Sequence, residues 1–120
     1  MNKNSLRIKD YLDHIHEALE RVERYTASMT ETSFLQDELV QDAVIRNIEI
    51  MGEAANNIKK ADLAFAEQHA DIPWLTMYAM RNRVSHAYFE VDWEIVWKTI
   101  KNDLPKMKQQ ISVLKLSLQP

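Results

Sequence analysis

The chain predicts an all-α fold: an antiparallel bundle of four main helices with one short extra helix. Three observations carry this. Breakers are scarce, with one glycine (Gly52) and three prolines (Pro73, Pro105 and Pro120) in 120 residues, so little interrupts a long helix. Apolar residues recur at steps of three and four, the spacing that lines one helix face. There is no alternating strand of useful length and no Asn-Gly or Asp-Gly hairpin turn.

The first helix is expected from about Ser5 to Met29. Its seam is Ile8, Leu12, Ile15, Leu19, Val22, Thr26 and Met29. Thr30 to Ser33 reads as a polar connector. The second helix is expected from Gln36 or Asp37 to Lys60. Asp37 and Glu38 suit its positive N-terminus, and Lys59 and Lys60 its negative C-terminus. Val44, Ile45, Ile48, Ile50, Met51, Ala54, Ala55 and Ile58 cover more than one stripe. Such a helix packs against two neighbours, and a second subunit is one candidate for the second. Gly52 sits mid-helix, where glycine costs about 1 kcal/mol relative to alanine. Close approach of another backbone is the expected compensation.

Ala61 to Glu67 suggests a short helix. Pro73 suits the first turn of a third main helix, whose apolar residues are Trp74, Leu75, Met77, Tyr78, Met80 and Val84. Asp92 is a good N-cap for the fourth. Trp93, Trp97, Ile100, Leu104, Met107, Ile111, Leu114 and Leu118 form its long seam, which Pro105 should kink or interrupt.

One domain, residues 1–120, is the expected organisation. Its 46% hydrophobic content is enough for a real core. No cysteine occurs, which excludes disulfides and thiolate chemistry. No apolar run approaches the roughly 18 residues of a membrane span, so a cytoplasmic protein is the simple expectation. The net charge of −3 argues against a non-specific nucleic-acid coat. It leaves room for a local RNA-cleaving site and for protein binding.

The richest chemistry lies in Arg81-Asn82-Arg83-Val84-Ser85-His86-Ala87-Tyr88, in the second half of the third helix. A histidine can move a proton near neutral pH. An arginine can hold a phosphate through two N–H bonds and balance charge developing there. Asn82 is four residues before His86 and shares its helix face. Arg81 is five before it, so about 140° and a rise of roughly 7.5 Å separate the two. Two copies of the motif facing each other across a dimer would relieve that misalignment. Arg83 points elsewhere and reads as a solvated or ion-paired cation. Ser85 reads as a surface hydroxyl. Tyr88 falls near the helix end, where it could meet a substrate, accept a modification or pack in the core.

Other candidates have plainer explanations. His14 and His16 are two apart and do not make the His-x3-His pair of a helical zinc site. These two and His69 read as surface residues, with Asp10 placed to pair with His14. Glu49 and Glu53 share a helix face, but no Glu-x-x-His motif accompanies them, and Arg46 can pair with Glu49. A structural or interface role fits them. Trp74, Trp93 and Trp97 read as packing residues rather than base-stacking platforms. No cofactor or metal is expected.

Met80 to Tyr88 resembles the Arg-x4-His-x-Tyr signature of the HepT-like family of the HEPN superfamily. Arg46-Asn47-Ile48-Glu49-Ile50-Met51-Gly52-Glu53-Ala54-Ala55 resembles a second hallmark of that family, and the Val91-Asp92 start of the fourth helix also fits. The resemblance spans nearly the whole chain. It implies an all-helical homodimer acting as the RNase toxin of a toxin–antitoxin module. It implies metal-independent cleavage of RNA by Arg81 and His86, with Asn82 as a supporting polar residue. It also implies a partner, an MntA-like minimal nucleotidyltransferase antitoxin that silences the toxin by AMPylation of Tyr88. The competing expectation is a non-catalytic nucleotide- or protein-binding subunit paired with such a nucleotidyltransferase.

Overall fold

The computed structural model describes residues 3–86 and 90–119, apart from the side chains of residues 3–6 and 86. Seven α-helices follow in order among the described residues: α1 (Lys3–Thr26), α2 (Glu31–Leu35), α3 (Glu38–Ala61), α4 (Leu63–Gln68), α5 (Trp74–His86), α6 (Trp93–Asn102) and α7 (Leu104–Ser117). No strand occurs among those residues, and no helix there is long and apolar enough to cross a membrane. The fold class is all-α, as the seams predict.

The caps explain where the helices start. Asp37 accepts a hydrogen bond from the Val40 backbone N–H at 3.0 Å, starting α3. Asp62 does the same for α4 through Phe65 N–H. Asp92 accepts from Glu94 and Ile95 to start α6. Each satisfies a donor that the first turn leaves without a helical partner. The predicted fourth helix is two helices, α6 and α7, which meet at Asp103. Pro105 sits in the first turn of α7, where its missing N–H costs nothing.

The segment Thr30 to Ser33, expected as a connector, instead opens the short helix α2. Thr30 and Ser33 form a reciprocal capping box: the Thr30 side chain accepts from Ser33 N–H, and Ser33 Oγ accepts from Thr30 N–H. The helix is held by Phe34, which is fully buried with its ring 5.3 Å from that of Trp97 and 6.2 Å from that of Trp93. One buried side chain in five residues leaves no periodic trace in a sequence.

The main core takes Ile8, Leu12, Ile15, Leu19 and Val22 from α1, and Ile100, Leu104, Met107, Ile111 and Leu114 from α6 and α7. Side-chain pairs show how α7 lies on α1. Lys108 meets Glu23, Ser112 meets His16, and Lys115 meets Asp13. Partners on α1 step backward as α7 advances, so the two helices are antiparallel. Trp74 and Trp97 are buried, as expected of packing residues. The Trp74 indole N–H donates to the carbonyls of Ala66 and His69.

Helix α3 is the central element, packed against α1 on one side and α5 on the other. Both apolar stripes are therefore met within the chain, and no second subunit is needed to cover them. Gly52 faces α5. A Cβ there would stand 2.7 Å from the Met77 carbonyl oxygen and would overlap the Arg81 Cβ. Close helix approach is thus the reason for the glycine, and it sets the position of the motif helix.

Candidate functional site

Arg81 and Asn82 fall in the second half of α5, and His86 is the last described residue of that helix. The side chain of His86 and all of Tyr88 lie outside the described residues. The geometry of the site is therefore that of the arginine half of the motif.

Arg81 is half-buried. Its Nη1 donates to Asn82 Oδ1 at 3.0 Å, and its Nη2 lies 3.4 Å from Glu53 Oε2. Among the described residues, one donor on each terminal nitrogen is engaged, and no other donor of the guanidinium has a partner. Arg81 opens on a cleft of about 460 Å³, lined also by His14, Arg46, Glu49, Ile50, Glu53, Ala54 and Asn57. The cleft brings together side chains from α1, α3 and α5 that are far apart in sequence.

Within the motif, Ser85 is not a bare surface hydroxyl. It donates to Glu49 Oε2 at 2.9 Å, across 36 residues of sequence. Glu49 is thus engaged by α5. The predicted Arg46–Glu49 pair is replaced by a tertiary contact that helix spacing could not reveal. Arg83 is exposed and borders a separate, mostly apolar pocket of about 270 Å³ between α3, α5 and α6.

The remaining histidines keep away from Arg81 except His14, which is exposed on the rim of the cleft. His16 and His69 are half-buried rather than fully at the surface. His16 Nε2 lies 2.9 Å from Ser112 Oγ, and His69 packs on the Phe65 ring. Among the described residues no three His, Asp or Glu side chains gather as a metal site. Sequence reasoning missed the roles of Glu53 and Glu49. The signal was present in their spacing, which matches that of Arg81 and Ser85, but using it requires knowing that α3 and α5 are neighbours.

These features define a class: an all-helical bundle built around an arginine that faces an open polar cleft. The model of the ribonuclease HepT-like family matches residues 15–114, and the chain belongs to that family. A Thermococcus cleftensis protein named as a probable ribonuclease HepT is 44% identical over 107 residues, covering 89% of this chain and 94% of its own length. A Methanocaldococcus jannaschii protein, named as a gamma-glutamylcyclotransferase and candidate RNase, is 43% identical over 87% of this chain. The match spans 46% of that longer relative. A candidate RNase of Caldanaerobacter subterraneus is 32% identical over 86% of this chain and 89% of its own length. No solved structure matches.

Proposed function

We propose that this protein is a cytoplasmic RNase toxin of a two-component toxin–antitoxin module, cutting RNA without a metal ion. Membership of the ribonuclease HepT-like family supports the nuclease class. The observation that carries the assignment to residues is Arg81, held at the edge of an open cleft by Asn82 and Glu53, five positions before His86 on the same helix.

In the proposed reaction a ribose 2′-oxygen attacks the adjacent phosphorus, and the bond to the 5′-oxygen breaks. His86 takes the 2′-OH proton or supplies one to the leaving oxygen. Arg81 balances the charge that builds on the phosphoryl oxygens. The products are a 2′,3′-cyclic phosphate and a 5′-hydroxyl. Asn82 supports the site by accepting from Arg81, which orients the guanidinium. A homodimer, with two α5 helices facing, would bring the Arg81 of one copy toward the His86 of the other and relieve their misalignment on one helix.

Regulation follows from Tyr88, two residues past His86. An MntA-like nucleotidyltransferase partner would transfer AMP from ATP to its phenol oxygen, releasing pyrophosphate. The added negative charge and bulk beside the site would repel RNA. The second reading is a non-catalytic binding subunit for the same partner. It is favoured by Glu49 and Glu53, whose carboxylates lie in the cleft beside Arg81 and oppose an RNA backbone.

RNA incubated with the purified protein in EDTA decides between them. Wild type should leave cyclic-phosphate ends, while His86→Ala and Arg81→Ala should each cut at least about a hundredfold more slowly. Cleavage that persists in His86→Ala sinks the mechanism. An inactive wild type with Tyr88 shown unmodified by mass spectrometry turns the assignment to the binding subunit.

A further inference from the structure

The two glutamates of α3 meet the motif helix in register. Glu53 faces Arg81 and Glu49 faces Ser85. Each pair of positions is four residues apart, and the partners run in opposite directions along α3 and α5. They form two rungs, one helical turn apart, across an antiparallel pair.

We propose that Glu53 and Glu49 are positioning residues: Glu53 aims the Arg81 guanidinium along the cleft, and Glu49, through Ser85, holds the turn of α5 that carries His86. The proposal rests on the reading that Arg81 and His86 carry the chemistry. It assigns work to two carboxylates that helix spacing alone leaves as surface charges.

Three observations support it. First, Gly52 lets α5 approach so closely that Arg81 Cβ and Cγ are among the nearest atoms to the place a Cβ would take. The root of the arginine is thereby confined, and the freedom left is in its outer torsions. Second, those torsions are restrained at both terminal nitrogens, by Asn82 and by Glu53. An arginine side chain gives up considerable rotamer freedom on binding an anion, and a side chain already aimed gives up less. Third, the Glu53 side chain is 53% exposed, and exposed ion pairs contribute little to stability. Glu53 is therefore a weak fold element, and its effect should register on the arginine.

The rung at Ser85 acts on a different part of the motif. Both partners are half-buried, and the hydroxyl–carboxylate distance is 2.9 Å. A charge-assisted hydrogen bond of that length ties the residue before His86 to the central helix. That tie fixes the turn of α5 that leads into His86.

Glu53→Gln, Ser85→Ala and Ser85→Thr test this by two independent readouts. In steady-state cleavage of a fluorogenic oligoribonucleotide, Glu53→Gln and Ser85→Ala should each lower kcat about tenfold with KM nearly unchanged. Ser85→Thr, which keeps the hydroxyl, should recover most of the loss. The melting temperature of Glu53→Gln should match wild type, and Ser85→Thr should restore whatever stability Ser85→Ala loses. In 15N NMR of the arginine side chains, assigned by comparison with Arg81→Lys, wild-type Arg81 should show a restrained guanidinium that becomes mobile in Glu53→Gln. An Arg81 signal indifferent to Glu53→Gln overturns the proposal, as does an activity loss in Glu53→Gln that follows a fall in melting temperature. A wild type with a restrained Arg81 but no RNA cleavage leaves the clamp standing and sinks the ribonuclease reading instead.

Discussion

The α1–α7 seam and the α3–α5 seam are both antiparallel helix pairs fastened by side-chain contacts, yet they are filled differently. Between α1 and α7 lie large apolar residues, Leu12, Ile15, Met107 and Ile111 among them, and the ion pairs Lys108–Glu23 and Lys115–Asp13 stand at the border. Between α3 and α5 apolar residues also meet, but at Gly52 the filling is removed, and two of the fastening residues, Arg81 and Ser85, belong to the motif itself. In the first seam apolar volume carries the energy and the charges are incidental. In the second, close backbone approach carries the geometry and the polar contacts decide where the reactive groups point.

Ile111→Ala should show the largest stability effect. The residue is fully buried, and removing an aliphatic side chain from such a site costs about 3 kcal/mol. Chemical denaturation should show that loss, while activity per folded molecule stays near wild type. A specific drop in turnover would mean the seam is not mere support.

Gly52→Ala probes the other seam. Alanine gains about 1 kcal/mol of helix propensity, yet its Cβ would stand 2.7 Å from the Met77 carbonyl oxygen and overlap Arg81 Cβ. Pushing two packed helices apart costs about 3 kcal/mol, so a net loss of about 2 kcal/mol is expected. Cleavage per folded molecule should fall as well, because α5 carries Arg81 outward. A stabilised or fully active Gly52→Ala would erase the contrast between the seams.

Lys115→Ala should have the smallest effect. Its Asp13 partner is largely exposed although the pair is 2.8 Å apart, and such pairs contribute about 0.5 kcal/mol. Denaturation midpoints in low and high salt should barely differ from wild type. A loss above about 2 kcal/mol would promote this border to a structural role beyond the usual range for exposed pairs.

How far the sequence discloses this arrangement differs between the two seams in the same way. The large-residue seam is legible because its period repeats: Ile100, Leu104, Met107, Ile111 and Leu114 are all buried where the steps of three and four put them. The α6–α7 break follows from Pro105, and the Asp92 cap from its residue type. Gly52 also announces itself, because a lone glycine in a long helix demands a reason. What sequence does not show is which helices become neighbours. Ser85 reads as a surface hydroxyl because Glu49 lies 36 positions away, and α2 reads as a connector because a single buried Phe34 has no period. The second apolar stripe of α3 was legible, but its partner was not: α5 of the same chain covers it.

The glycine notch also dictates the order in which this molecule can change. Every residue but glycine has a Cβ, so shortening residue 81 to anything except glycine leaves the clash with a new side chain at position 52 in place. The Met77 contact involves a backbone oxygen, which no substitution removes. Drift at position 52 therefore has no local suppressor, and rescue requires helix α5 itself to shift. A lineage that loses Gly52 has to rebuild how it holds Arg81, whereas one that loses only Arg81 keeps an intact bundle ready to serve as a binding protein.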